Sequence, residues 1–278
     1  MISPYLRLLR PQQWLKNGFV LLPVFFGQQM LDSSLWLPVL MASLSFCFAS
    51  SGIYCLNDIC DVEMDKLHLK KRTRPIASGA ISPNMGYIVM CCCWVLAILL
   101  AWLAGESLSN SLGSLVIIIT YILLNVAYCF RLKHYSIVDL FVISSGFVFR
   151  IILGGIVTGI ALSKWIVLMT FLLALFIAIA KRRDDVIIYE SKGVKLRGNI
   201  ARYNLSFMNQ ALSIVASITM VCYIMYTVSD EVVTRVGSHY IYATSVFVLA
   251  GIIRYLQVTL VDARSGSPTK ILLKDRFH

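Results

Sequence analysis

The chain has 278 residues, of which 58% are hydrophobic and only 14% charged, and it carries a net charge of +11. Typical soluble domains are about 45–50% apolar and about 25% charged, whereas the mean hydropathy here is +0.77. So few charged residues cannot cover the surface of a soluble protein of this length, which excludes the soluble, disordered, fibrous and disulfide-scaffold classes. The composition indicates a polytopic membrane protein.

Eight stretches are long and apolar enough to cross a bilayer, for which roughly 20 mostly apolar residues suffice. They lie near residues 18–31, 35–56, 85–104, 111–130, 137–159, 163–180, 208–228 and 238–257. The first is short and contains Pro23, and a cleaved signal peptide is its alternative interpretation, although the later spans favour a retained helix. No hydrophilic stretch is long enough for a second domain. The sequence therefore predicts an all-α bundle of eight spans and a single integral-membrane domain, residues 1–278.

Positive charge is concentrated on one side of this predicted bundle. With eight spans, the two termini and the loops 57–84, 131–136 and 181–207 share a side, and these segments hold 21 of the 25 Lys and Arg residues. Because cytoplasmic loops are rich in Lys and Arg, we expect a multi-pass protein of the inner (cytoplasmic) membrane with its active site facing the cytoplasm. The charge also attracts anionic lipid. No soluble basic module is visible, so we expect no nucleic-acid partner.

An acidic cluster follows the second predicted span. Four of the chain's 14 acidic residues fall within eight positions, namely Asp58, Asp61, Glu63 and Asp65. At 100° per residue, all but Glu63 share an arc of about 100° with Asn57, and His68 joins them if the helix continues. Carboxylates held so close repel each other, and a divalent cation relieves that repulsion; hard oxygen ligands suit Mg²⁺. The alternative is a solvated acidic helix end, neutralised by the Lys and Arg residues that follow.

Two further groups of ionisable residues lie in or after later spans. Lys181 and Asp185 are four residues apart, so they share a helix face and could bind a phosphate, although the run KRRDD also suits a basic flank. Asp139 and Arg150 are eleven apart in the fifth span and lie on one stripe. Intramembrane charge indicates function, but a structural ion pair is an alternative.

Several strings in the chain resemble the UbiA-type polyprenyl transferase superfamily and, within it, the decaprenyl-phosphate phosphoribosyltransferase branch. They are RPQQWLKN (10–17), NDICDVEMD (57–65), His68 with KRTRPIASG (71–79), Tyr128 with RLKH (131–134), SGFVFR (145–150) and KR (181–182). The aspartate motif indicates only the superfamily. The QWLKN string (13–17) and Lys181 select the branch. Typical members carry a second DxxxD motif at the position of Lys181, and this chain has Lys181-x-x-x-Asp185. Asp at position 185, where the branch has Glu, is a mild departure.

The resemblance implies a Mg²⁺-dependent membrane enzyme. It would transfer 5-phosphoribose from phosphoribosyl diphosphate to a polyprenyl phosphate and release diphosphate, for the synthesis of cell-envelope (cell-wall) glycan precursors. The implied catalytic residues are Asp58, Asp61, Asp65, Lys181 and Asp185, and the three in the aspartate motif also hold the metal. The implied substrate-binding residues are Lys16, Asn17, Asn57, His68, Arg72, Arg74, Tyr128, Lys133, Arg150 and Arg182. The superfamily fold has nine helices; the ninth is expected to begin near Lys270, so in a chain ending at His278 we expect it to be missing.

Two alternative functions remain. A sibling enzyme would move a polyprenyl chain from its diphosphate to an aromatic acceptor, but it should carry a carboxylate where this chain has Lys181. A membrane transporter would use the intramembrane Asp139 and Arg150, would lose activity without Asp139 and would keep it without Asp61. The sequence leaves open the chain length of the acceptor and the oligomeric state, including a homo-oligomer.

Overall fold

The computed structural model describes residues 3–67, 71–193 and 198–261. Within these ranges all regular structure is helical and there is no β-strand, which confirms the all-α prediction. The α-helices are α1 (Pro4–Leu9), α2 (Leu22–Phe26), α3 (Trp36–Cys60), α4 (Val62–Leu67), α5 (Pro83–Leu103), α6 (Leu108–Phe130), α7 (Val138–Thr158), α8 (Lys164–Lys192), α9 (Leu205–Thr227), α10 (Asp230–Val236) and α11 (Ser245–Leu260). The 3₁₀ helices are Pro11–Leu21, Ser33–Leu35, Lys71–Thr73, Leu132–His134, Ile200–Arg202 and His239–Thr244.

Seven segments of the described chain are long and apolar enough to span a membrane, and they are built on α3, α5, α6, α7, α8, α9 and α11. They match seven of the eight predicted spans. The predicted count of eight is not confirmed, because the stretch 18–31 forms no long α-helix. Pro11 opens a 3₁₀ helix, Pro23 lies in the first turn of the five-residue α2, and Gln28 adopts a left-handed backbone with φ 57°. Since proline has no N–H to donate, prolines at such spacing interrupt a continuous helical ladder.

The segment before α3 nevertheless runs along this helix in the opposite direction. Trp14 Nε1 donates to Ser51 Oγ at 3.0 Å, whereas Trp36 Nε1 donates to the carbonyl of Met30 at 3.2 Å. At a rise of about 2.0 Å per residue for the 3₁₀ helix Pro11–Leu21 and about 1.5 Å for α2, the two cover roughly 30 Å. That length equals the hydrocarbon core of a typical bilayer.

His68 and residues 262–278, where the ninth helix was expected, lie outside the described residues.

The chain forms two compact units, which are described separately. The first comprises Met1–Leu132 and Gly146–Leu162, and the second comprises Lys133–Ser145 and Ser163–His278. In the first unit α3 is the central helix and packs closely along α5, because its buried face is rich in small residues. Ser45 Oγ donates to the carbonyl of Ala97 at 2.7 Å, and Gly52 lies directly against the indole of Trp94.

In the second unit α8 packs against α9, which also carries α11. Helix α8 begins after Ser163, whose hydroxyl accepts from the N–H of Trp165, and it ends at Gly193, which adopts the left-handed conformation with φ 65°. It therefore continues twelve residues beyond the predicted end at residue 180, and the KRRDD run lies within it. Arg183 joins all three helices, since its guanidinium donates to Asn209 Oδ1 at 2.7 Å and to the carbonyl of Thr259 at 2.8 Å.

Candidate active site

The acidic cluster of the first unit lies where α3 ends. Asp61 follows the last residue of α3 and α4 begins one residue later, but the helical hydrogen bonds continue across the break. Asp61 N–H donates to the carbonyl of Asn57 at 2.9 Å, and Asp65 N–H donates to that of Asp61 at 2.8 Å. Asp58 and Asp65 are buried, with 1% and 2% of their surface exposed. Glu63, expected on the opposite face, is exposed and pairs with Lys66.

Two arginines neutralise the buried aspartates. Arg10 lies 2.5 Å from Asp58 Oδ1, and Arg74 bridges Asp58 Oδ1 at 3.2 Å and Asp65 Oδ2 at 2.6 Å. The sequence predicted carboxylates that repel each other because they lack counter-charges. The ion pairs with Arg10 and Arg74 correct that prediction for Asp58 and Asp65. They favour part of the alternative interpretation, in which arginine supplies the counter-charge. Asp58 Oδ2 is buried and accepts no hydrogen bond in the described structure.

The chemistry of this cluster fits a magnesium ion that also binds a substrate phosphate. No three His, Cys, Asp or Glu side chains within the described ranges are close enough to hold a metal by themselves. Mg²⁺, however, usually binds one or two carboxylates and completes its shell with waters and substrate phosphates. Asp58 Oδ2 is a buried carboxylate oxygen that lacks a donor, and Asp61 and Asp65 are one turn apart on the adjoining chain. These oxygens are therefore suitable ligands for Mg²⁺ together with a phosphate group.

A second cluster of the first unit surrounds Arg150 on α7. Its Nε donates to Asn17 Oδ1 at 2.8 Å and one of its terminal nitrogens donates to the carbonyl of Gly146 at 2.6 Å. The guanidinium also lies 4.9 Å from the ring centroid of Phe46 and 5.3 Å from that of Tyr121. Among the described residues no carboxylate pairs with Arg150. Two predicted substrate-binding residues, Asn17 and Arg150, are thus brought together, and they fasten the N-terminal segment to α7.

Asp139 takes part in a structural ion pair, which agrees with the alternative interpretation of the intramembrane charges, but Arg150 is not its partner. Eleven residues of α-helix separate their backbones by roughly 16 Å, too far for the two side chains to meet. Asp139 instead forms a buried ion pair with Arg182 in the second unit. Arg182 also lies 3.5 Å from Asp185 Oδ2.

Tyr203 completes this network of the second unit. Its hydroxyl donates to Asp139 Oδ1 at 3.0 Å and accepts from the N–H of Ile137 at 2.6 Å. Ile137 has φ 71°, a left-handed conformation that a β-branched residue rarely adopts. Burial raises the pKa of Tyr203 to about 12, and the negative charge of Asp139 also acts to raise it. The network holds the backbone between Leu132–His134 and α7 in a strained conformation.

The remaining predicted site residues lie in both units. In the first unit Lys16 and Arg72 are exposed, while Asn57, Asp61 and Tyr128 are half-buried; in the second unit Lys181 is exposed, while Lys133 and Asp185 are half-buried. Among the predicted site residues, Arg74 contacts Asp58 and Asp65, Arg150 contacts Asn17, and Arg182 contacts Asp185. Arg10 and Tyr203 are the site residues that the prediction missed. Arg10 stands in the RPQQWLKN string, which is a usable signal, whereas nothing in the spacing indicates Tyr203.

Comparisons with known proteins agree with this architecture. Residues 20–274 match the UbiA prenyltransferase family. The chain is 32% identical to the decaprenyl-phosphate phosphoribosyltransferase of Mycolicibacterium smegmatis, over 99% of this chain and 88% of the relative. It is also 32% identical to the protein of the same name from Corynebacterium glutamicum, over 98% of this chain and 81% of the relative.

Solved structures show the same fold. A UbiA homologue from Archaeoglobus fulgidus bound to DMAPP and Mg²⁺ superimposes with a TM-score of 0.75 at 20% identity, covering 98% of this chain and 93% of that one. These matches confirm the resemblance predicted from the sequence and indicate a membrane transferase. The chain belongs to the UbiA prenyltransferase family.

Proposed function

We propose that this protein transfers 5-phosphoribose from phosphoribosyl diphosphate to a polyprenyl phosphate and releases diphosphate. The observation that carries the proposal is the 32% identity, over 99% of the chain, to a relative named decaprenyl-phosphate phosphoribosyltransferase. Lys181 supports it, because a lysine stands where typical members have the first carboxylate of a second metal-binding motif. An ammonium group contacts phosphate oxygens directly, whereas a carboxylate would need a metal between them.

In the first unit Asp58, Asp61 and Asp65 would hold Mg²⁺ and thereby the diphosphate of the donor. When bound, Mg²⁺ neutralises negative charge that develops on the departing diphosphate. Arg74, which lies 26% exposed between Asp58 and Asp65, can turn a guanidinium N–H towards a diphosphate oxygen. The exposed Lys16 and Arg72 offer further charge to phosphates.

In the second unit we assign Lys181 and Lys133 to phosphate contacts and Arg182 to a positioning role. Arg182 is 3% exposed and pairs with Asp139, so it is too buried to contact a substrate directly. We assign it instead to fixing the position of α8 next to the exposed Lys181. The acceptor needs little activation, because a phosphate monoester with a second pKa of about 6 is largely ionised at neutral pH. Orientation of the two substrates is then the main task of these residues.

We place the enzyme in the cytoplasmic membrane with the Asp58 end of α3 facing the cytoplasm. The loops that follow α3, α6 and α8 alternate with short loops that are poor in Lys and Arg, in agreement with the positive-inside rule. In the first unit Arg7 donates to the carbonyl of Thr73, so the N-terminal residues lie at this same end. The product, a polyprenyl-phosphoryl 5-phosphoribose, would supply the synthesis of cell-envelope glycans.

Release of diphosphate by purified protein in detergent tests the proposal. The assay contains phosphoribosyl diphosphate and Mg²⁺, with and without polyprenyl phosphate. We expect release that requires the lipid and falls to background in Asp61→Asn. The matched control is Asp32→Asn, because Asp32 is an exposed carboxylate that, among the described residues, accepts hydrogen bonds from Ser34 alone, in the turn before α3. It should retain wild-type activity.

Two other results would replace the proposal. Turnover of a polyprenyl diphosphate with an aromatic acceptor, and none with phosphoribosyl diphosphate, would assign the protein to the sibling prenyltransferases. Activity that survives Asp61→Asn but is lost in Asp139→Asn, although that variant is folded, would favour the transporter alternative.

A further inference from the structure

At the end of α3 two arginines balance the charges of the two buried aspartates. Asp58 and Asp65 contribute two negative charges, and Arg10 and Arg74 contribute two positive charges within 3.2 Å of their oxygens. A divalent cation that approaches these carboxylates therefore meets two guanidinium groups beside them, which oppose its binding. Both arginines contact Asp58 through Oδ1, and Oδ2 remains buried without a hydrogen-bond donor.

Arg10 is held in position but stays accessible. Its backbone has φ 52°, the left-handed conformation, between α1 and the 3₁₀ helix that follows. Its guanidinium lies 4.8 Å from the ring centroid of Tyr54. The side chain is 26% exposed, against 1% for Asp58, so a ligand can reach the arginine while its carboxylate partner remains buried. A guanidinium that already pairs with a carboxylate can exchange it for a phosphate, since both present oxygens to the same planar donors.

We infer that Arg10, with Arg74, is a charge-exchange ligand that makes metal binding depend on diphosphate. Without diphosphate the two arginines neutralise Asp58 and Asp65 and weaken the binding of a divalent cation. When diphosphate is present, its oxygens accept the hydrogen bonds of the guanidinium groups, and the carboxylates then become available to the metal. The metal and the diphosphate therefore bind cooperatively, each raising the affinity for the other by the same factor. This inference rests on the proposed function for the identity of the diphosphate donor.

The test is the binding of Mn²⁺ to the full-length protein in detergent, with and without inorganic diphosphate. Free Mn²⁺ is counted by its paramagnetic resonance signal, and a protein-free titration corrects for the complex that forms in solution. We expect diphosphate to tighten Mn²⁺ binding to the wild-type protein by about tenfold, within the usual range of coupling between two sites. In Arg10→Gln we expect Mn²⁺ alone to bind several-fold more tightly and the enhancement by diphosphate to fall below about threefold.

Two control variants separate this role from a structural one. Arg10→Lys keeps the charge, so it should retain most of the coupling even if the geometry is less favourable. Arg7→Gln removes a neighbouring exposed arginine that donates to the carbonyl of Thr73 and to no carboxylate among the described contacts, so it should behave as wild type.

Two results would overturn the inference. One is Arg10→Gln with unchanged coupling, or with weaker binding of Mn²⁺ in both conditions; the other is wild-type protein that binds no Mn²⁺ in either condition. Failure of the proposed function is a different outcome: Arg10-dependent coupling would be present, but no phosphoribose would reach the lipid.

Discussion

The buried ion pair between Asp139 and Arg182 gives a stability prediction whose size follows from the structure. Replacement Asp139→Asn keeps the shape of the side chain and an oxygen for the Tyr203 hydroxyl, but it removes the negative charge beside a guanidinium that is only 3% exposed. Removal of one partner of a buried ion pair costs about 3–5 kcal/mol when the other charge loses its counter-charge. Asp185 Oδ2 lies 3.5 Å from Arg182, so we expect a cost at the lower end of this range. For a chain of this size each kcal/mol lowers Tm by about 2–4 °C, so we expect a fall of roughly 10 °C.

Thermal unfolding of the purified protein in one detergent, followed by the fluorescence of its tryptophans, measures this effect. Asp230→Asn is the matched control, since Asp230 is exposed at the start of α10 and its substitution should change stability by less than about 0.5 kcal/mol. An Asp139→Asn protein as stable as this control would contradict the prediction. It would mean that the Arg182 charge is compensated by other groups or reaches water.

Three further predictions concern the hydrogen bond of Arg150, the packing of Gly52 and the pH dependence that Tyr203 causes. Arg150→Met should destabilise the protein by about 2 kcal/mol in denaturant titrations, because Asn17 Oδ1 loses its buried donor; an unchanged midpoint would contradict this. Gly52→Ala should cost about 1–3 kcal/mol, because a methyl group there would overlap the Trp94 indole. Gly18→Ala should leave stability unchanged, because there is open space around Gly18. An equal loss of stability in the two variants would show that α3 shifts freely to accommodate the methyl group at position 52. Since burial raises the pKa of Tyr203 from about 10 to about 12, the folded state favours the neutral phenol. The neutral Tyr203 phenol therefore stabilises the fold fully below pH 10, and this stabilisation is lost between pH 10 and 12. We expect the free energy of unfolding to fall more steeply over this pH range in the wild-type protein than in Tyr203→Phe. Equal slopes in the two proteins would show that Tyr203 does not cause the fall.

The fold was largely predictable because hydropathy identifies spans directly, and the failures have local physical causes. The stretch 18–31 is apolar, but its prolines favour a 3₁₀ helix and a short α2 over one long helix. The end of α8 was placed too early because the charged KRRDD run lowers the hydropathy and does not stop the helix. Gly193, in the left-handed conformation, ends it twelve residues later.

Residue spacing alone predicted the candidate site only where its members are neighbours in sequence, whereas the distant Asn17 and Arg150 were expected only through the family resemblance. The spacing of Asp58, Asp61 and Asp65 indicates a shared face because they lie within two helical turns. Their arginine partner Arg10 is 48 residues from Asp58, and Tyr203 is 64 residues from Asp139. Contacts over such distances depend on how helices pack, which periodicity within one helix does not contain.

The transfer of label from phosphoribosyl diphosphate to lipid distinguishes a phosphoribosyltransferase from the alternatives in one experiment. The purified protein is incubated with donor labelled in the ribose, polyprenyl phosphate and Mg²⁺, and the organic phase is then extracted and counted. We expect label to enter the lipid fraction only when all three are present, and we expect Asp61→Asn to abolish this transfer. Label that stays in the aqueous phase, while the same protein attaches a polyprenyl chain to an aromatic acceptor, would contradict it.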